Sequence, residues 1–260
     1  LLNEIKFKDQ IFSDAHASLA QAYLNLDDLD NAVKSIKLAT EFTKSNEEKA
    51  RYTFILGQLY EEMHYNDSAY AAFDEVIQMK RKAPRRYVIQ AHAKQAQQFD
   101  YTKGDTLAFL EKFNKLIDDR ENRPYLDILN HQVGIFYDKN KKNHFAKQHY
   151  NKSIKAVSGD KYLVASNYRN IGEIYFREAD YKTAGKYYDS TLLRLDDRTR
   201  EYRKIKKKRD NLDDVIKYEL IAQQNDSILS VVAMNNEERK LYYNNYIVKL
   251  KAEDERKAKL

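Results

Sequence analysis

The chain has 260 residues and a formal net charge of +6, from 46 Lys and Arg against 40 Asp and Glu. Only 6 Gly and 2 Pro are present, too few for a β-sandwich, a barrel or a Gly-rich α/β fold. The 21 Tyr and 11 Phe supply bulky apolar surface that excludes a disordered chain. Cysteine is absent, which excludes disulfides, thiolate catalysis and Cys-based zinc sites.

Long amphipathic helices fit this mixture best, so the expected class is all-α. No apolar run reaches the length of about 18 residues that a membrane span needs. The chain opens Leu1-Leu2-Asn3-Glu4, with no initiator Met and no signal-like segment, and reads as a fragment or a mature product. Residues 1–9 read as the end of a preceding helix.

From residue 10 to 195 the chain repeats itself. The first unit carries Leu19-Ala20 and Tyr23, then Ala32 and Ile36. The second carries Leu56-Gly57 and Tyr60, then Ala69 and Phe73. A third, degenerate unit centres on Ala96 with Phe99 in the Tyr position, and its inter-helix turn reads about two residues short. The fourth carries Val133-Gly134 and Tyr137, then Ala146 and Tyr150; the fifth carries Ile171-Gly172 and Tyr175, then Ala184 and Tyr188. Each unit predicts a helical hairpin. The small residue (Ala20, Gly57, Gly134, Gly172) marks the close crossing of helix B over helix A, and Tyr23, Tyr60, Tyr137 and Tyr175 fill the space one turn later. Asp27-Asp28, Tyr65-Asn66-Asp67, Lys139-Asn140 and Ala179-Asp180 are the polar turns.

This register resembles the tetratricopeptide repeat (TPR), which implies a right-handed helical solenoid of five hairpins. The spacing departs from the family: Leu19 to Leu56 is 37 residues and Gly134 to Gly172 is 38, against a usual repeat of about 34. The aromatic that opens helix A is replaced by His16, Thr53 and Asn130 and kept at Tyr168. The resemblance implies a concave groove lined by the helix A residues three before and one after the small residue. These are Ala17 and Gln21, Phe54 and Gln58, Ala93 and Gln97, His131 and Ile135, and Arg169 and Glu173, with Arg51 adding positive charge. The Lys and Asn pattern that grips a chaperone's terminal carboxylate is missing, so that ligand is not expected. A docked peptide is.

No phosphate loop, His-Glu-x-x-His or nucleophile elbow is present. His144 and His149 are five apart, poor spacing for two ligands on one helix face. No enzyme activity, metal or cofactor is expected.

Residues 196–260 leave the repeat and read as a non-repeat helical region. Residues 198–224 predict one helix about 40 Å long, with Tyr202, Ile205, Leu212 and Ile216 as its apolar stripe. Asn225-Asp226-Ser227 predicts the cap of a short following helix, and Asn235 with Glu238 a capping box for a last one that buries Leu241, Tyr242, Tyr246, Ile247 and Leu250. Arg198, Arg200, Arg203, Lys204, Lys206, Lys207, Lys208 and Arg209 form a basic run around the long helix, a candidate partner surface. Asp210, Asp213 and Asp214 follow at distances that allow partial neutralisation. The alternatives for this run are an unrelated protein partner or a nucleic-acid ligand, the latter disfavoured by the mixed signs.

The stretch from Arg198 through Tyr202, Ile205, Leu212 and Ile216 to Glu219, the following Ile221-Ala222-Gln223-Gln224-Asn225-Asp226-Ser227-Ile228-Leu229 and the earlier Asn170-Ile171-Gly172-Glu173-Ile174-Tyr175 resemble SprE/PorW-type TPR lipoproteins. Those belong to the type IX secretion and gliding-motility machinery. The resemblance implies a periplasmic, outer-membrane-associated scaffold held by an N-terminal lipid outside this sequence. Its implied partners are periplasmic ring and outer-membrane translocon subunits.

Overall fold

The computed structural model describes residues 9–156 and 159–258. Of the segment expected to end a preceding helix, only Asp9 is described, as the N-cap of α1; residues 1–8 lie outside the described residues. Ten helices pair into five hairpins: α1 (Gln10–Asn25) with α2 (Leu29–Phe42), α3 (Asn46–Glu62) with α4 (Asn66–Gln78), α5 (Arg85–Gln97) with α6 (Thr106–Asp118), α7 (Leu126–Lys139) with α8 (Asn143–Lys155), and α9 (Lys161–Arg177) with α10 (Tyr181–Leu192). Two longer helices follow, α11 (Arg200–Ala233) and α12 (Asn236–Ala258). Consecutive hairpins stack, α2 on α3, α4 on α5 and α8 on α9, so the core runs as a line of clusters between layers.

Four of the five hairpins turn in the same way. Each helix A ends with its repeat Tyr carbonyl accepting the N–H five residues on: Asp28 to Tyr23 at 2.9 Å, Tyr65 to Tyr60 at 2.8 Å, Lys142 to Tyr137 at 2.9 Å and Asp180 to Tyr175 at 3.0 Å. A second bond nests inside each, such as His64 N–H to Glu61 O at 3.0 Å. This is the Schellman arrangement, which satisfies the last carbonyls of a helix by placing one residue in the left-handed region. Asp27, His64, Lys141 and Ala179 occupy that position at φ 61°, 61°, 58° and 60°. The next helix then starts on a side-chain cap in two of these turns, Asp28 to Asn31 N–H and Asp180 to Thr183 N–H.

The small residues sit where helix B crosses. A Cβ built on Gly57 would lie 2.5 Å from the Phe73 ring, on Gly134 2.6 Å from Tyr150, and on Gly172 2.9 Å from Tyr188. Phe73, Tyr150 and Tyr188 are all buried. In the first hairpin the helix A residue is Ala20 and the helix B residue is the smaller Ile36, both buried in one cluster. Volume is conserved across the crossing: a glycine faces a ring, an alanine faces an aliphatic chain.

The third hairpin differs, and so does the expectation for its turn. Residues 98–105 make an eight-residue connection, longer than the three-residue turns of the others. Asp100 accepts from the N–H groups of Thr102 and Lys103, and Asp105 caps α6. Without the left-handed residue the chain needs this detour to reverse. Helix α6 leans on α7 and on the short 3-10 turn at Arg120–Tyr125 rather than closely on α5. The gap is filled by rings: Phe109 stacks on Phe136 at 4.4 Å and on Phe113 at 4.6 Å, and Phe99 reaches Phe109 at 4.9 Å.

Two tail expectations are corrected. Asn225-Asp226-Ser227 caps nothing, because α11 runs unbroken for 34 residues, about 51 Å. No Gly or Pro lies within it, and cap-forming residues inside a helix cost only about 0.5 kcal/mol each, less than breaking the ladder. The apolar residues of α12 are not a buried set: Leu241 is 62% exposed and Tyr246 51%. The length of α11 carries α12 beyond the reach of the repeats. The capping box is present, with Glu238 accepting the Asn235 N–H at 3.0 Å and Asn235 accepting the Glu238 N–H at 2.9 Å. No helix among the described residues is long and apolar enough to cross a membrane.

Candidate functional site

The helix A row lines a groove that is open at one end and closed at the other. At the open end, α1 and α3 enclose a cavity of about 570 Å³ whose walls include Ala17, Gln21, Leu24, Arg51 and Ile55. Arg51 is exposed, its guanidinium 5.0 Å over the Tyr52 ring and donating to the Tyr52 hydroxyl at 3.3 Å. Gln58 and Gln97 are exposed on α3 and α5. Gln21 and Arg51 give this cavity a polar, hydrogen-bonding wall of the kind that suits a peptide backbone.

Three residues expected in that wall, Phe54, Ala93 and His131, are inside instead. Phe54 is buried against Phe73 at 5.4 Å and Tyr87 at 5.9 Å, filling the seam between the second and third hairpins. The longer inter-repeat spacing draws α5 over it. His131 is buried between α7 and α9, its Nδ1 at 2.7 Å from Asn167 Oδ1. Asn167 donates to Ser153 Oγ at 2.7 Å, and Ser153 donates to the Asp127 carbonyl at 2.7 Å. Since the Asn167 amide nitrogen is committed to Ser153, its oxygen accepts, and His131 carries its proton on Nδ1. Burial holds the His131 pKa below the usual imidazole value, with Asn167 opposing. The residue is a structural tie between repeats. In the first hairpin the sense is reversed, Ser13 on α1 donating to Ala39 O on α2 at 2.7 Å, so no shared serine position marks this tie in the sequence.

The far end of the groove is filled by the protein itself. Helix α11 takes the place that the next helix A would occupy, with Ile205 and Leu212 buried against Ala184 and Tyr188. Arg169 pairs with Glu201, and Glu173 accepts from Lys208 at 2.6 Å. The Lys208 ammonium also lies 4.0 Å over the Phe176 ring.

The basic run is therefore divided. Lys208 faces the fifth hairpin, and Arg209 is held by Asp189 at 2.8 Å and by Asp213 one turn on. Arg198 pairs with Asp196 at 2.9 Å. The expectation of one surface of eight cations is corrected to a free face of five: Arg200, Arg203, Lys204, Lys206 and Lys207 are exposed. They project away from the buried Ile205 and Leu212, because docking fixes the rotation of the helix. Among the described residues, no three His, Asp or Glu side chains are grouped as metal ligands.

Residues 13–46, spanning most of α1, all of α2 and the first residue of α3, match the tetratricopeptide repeat family. The chain folds as a TPR-like helical solenoid. Its fold is similar to that of PilW, a widely conserved type IV pilus biogenesis factor, at 16% identity over 89% of this chain and 98% of that one, with a TM-score of 0.57. It is similar to pilF of Pseudomonas aeruginosa at 15% identity, 90% and 97% coverage and a TM-score of 0.54. A signal transduction ATPase with numerous domains and a tetratricopeptide repeat sensor, from Pyrococcus horikoshii, matches 97% of this chain with 37% of its own length, at 16% identity and a TM-score of 0.51. At such identities the likeness extends to the TPR fold alone. No curated protein matches the sequence.

Proposed function

We propose that this TPR solenoid is a non-enzymatic scaffold of the type IX secretion and gliding machinery, joining periplasmic ring or motor parts to the outer-membrane translocon. The observation that carries the reading is the segment from Arg198 to Leu229, whose sequence resembles the post-repeat region of the SprE/PorW-type lipoproteins. From Arg200 onward that segment lies in α11. Its first half is built into the stack and its second half leaves it, which is how a helix can hold one partner rigidly to a repeat array. The five free cations of α11 supply long-range attraction for an acidic surface and set its orientation. The resemblance implies a periplasmic location and a lipid anchor on the parent chain.

The test uses the chain as bait against periplasmic and outer-membrane extract. Beside it runs a variant with Arg200, Arg203, Lys204, Lys206 and Lys207 changed to Gln. Ring or translocon subunits should co-isolate with the unchanged chain and be depleted with the variant. Retention of nucleic acid alone by the unchanged chain, with no secretion subunit, overturns the reading and favours a nucleic-acid regulator.

A further inference from the structure

The irregular third hairpin opens a cleft on the solenoid away from the groove residues just described. It lies among the start of α3, the end of α4, α5 and the turn at Arg120–Tyr125, and has a volume of about 1170 Å³. That exceeds the range of roughly 300–1,000 Å³ typical of small-molecule sites. The rim is a 3-10 turn, Lys80–Lys82, followed by Arg85, and the apolar walls include Ile77, Met79 and Val88.

Three cations of the cleft are already matched. Arg85 pairs with Asp119 at 2.6 Å and donates to Asn122 Oδ1 at 2.6 Å, Arg81 lies 3.5 Å from Glu121, and Lys49 lies 3.9 Å from Glu75. Lys80 and Lys82 are exposed with no carboxylate in ion-pair reach among the described residues. Arg85 and Asp119 are braced by Asn122, which is fully buried and also donates to the Leu116 carbonyl at 2.7 Å, so the far wall is fixed.

We propose that this cleft docks an acidic segment of a partner protein, carboxylates meeting Lys80 and Lys82 and aliphatic side chains meeting Met79, Ile77 and Val88. Charge complementarity selects the sign of the occupant. The composition of the walls selects its class. Among the described residues no Phe, Tyr or Trp lines the cleft, and its one ring, the His92 imidazole, is buried, so stacked bases would find no open platform. Glu75, Asp119 and Glu121 interrupt the cations, and a continuous row of phosphates would meet them as repulsion. A peptide places charges singly and alternates them with apolar groups. This site is separate from the α11 face, and neither depends on the other.

The experiment measures fluorescence anisotropy of a short labelled peptide alternating Glu and Leu, titrated with the whole chain. A Lys-and-Leu peptide and an oligouridine serve as comparison probes. The acidic peptide should bind, and the double variant Lys80→Glu, Lys82→Glu should weaken it by about tenfold or more. A Lys80→Gln, Lys82→Gln variant should weaken it less, and the five-fold α11 variant should leave it unchanged. Circular dichroism melting of each variant checks that these exposed substitutions keep the fold. Absence of binding, binding indifferent to Lys80 and Lys82, loss confined to the α11 variant, or preferential binding of the oligouridine would each overturn the proposal.

Discussion

Single residues set the geometry of each repeat. The pairing of glycine with a ring, and of Ala20 with Ile36, predicts a specific coupling. Gly134→Ala forces a methyl into the Tyr150 ring and should cost about 1–3 kcal/mol. Tyr150→Ile alone leaves a void, but the double variant recreates the first hairpin's pair and should cost less than the sum of the two. Urea denaturation of the full cycle measures this, and strict additivity would remove the account. Ala179 adopts a left-handed backbone at φ 60°, so Ala179→Gly should stabilise the protein by about 1 kcal/mol. The same change at Asp27 should yield less, since Asp tolerates that region.

Histidine burial gives a pH dependence at this scale. Burial, with Lys112 and Arg85 adding to it, holds His92 down to about 3, and burial with Lys152 holds His149 down to about 4. Unfolding frees both to protonate near their ordinary value of 6.5. The unfolded chain then binds more protons, so stability falls as pH drops below about 6.5, by about 1.4 kcal/mol per pH unit for the deeply buried His92 until its folded value is reached, and by less for the partly solvated His149. His92→Gln should remove one such increment from the slope measured between about pH 6 and pH 4.5. An unchanged slope would mean His92 is free to protonate in the folded state.

At the scale of elements, α11 is one helix with two lives. Its first half is anchored by Ile205, Leu212, Glu201 and Lys208; from Ile221 onward its residues are mostly exposed, with only Val231 half-buried. Amide exchange should therefore be slow through about residue 216 and fast beyond it. Ile205→Asp should make the first half exchange as fast as the second, because a buried carboxylate cannot stay against Tyr188 without a partner. Uniform protection along α11 would show that the second half is covered in solution.

At the scale of the molecule, the main contacts among the described residues run between neighbouring hairpins, so damage should stay local. Gly57→Leu drives a side chain into Phe73 and should speed exchange in α3 and α4 while α9 and α10 remain protected. Loss of protection along the whole chain at once would show one cooperative core instead.

Four of the hairpins were legible from the sequence because close helix crossings demand small residues at fixed spacing, and Ala20, Gly57, Gly134 and Gly172 carry that demand openly; the third, around Ala96, was read with too short a turn. The carry-over of the groove was less complete. Phe54 and His131 hold the expected register, yet the stagger between successive hairpins turns them inward, and stagger depends on linker length and on what the next helix presents. The eight basic residues of 198–209 were visible as a run; which of them stay free was decided by Ile205 and Leu212 docking on a surface built from residues far earlier in the chain. The sequence by itself determined the repeat and, in four hairpins, the turns and crossings, all local consequences of helix periodicity. Only the tertiary structure decided where the groove closes, which cations remain in solvent and where the cleft beside Lys80 and Lys82 opens, because these depend on helices meeting across more than thirty positions.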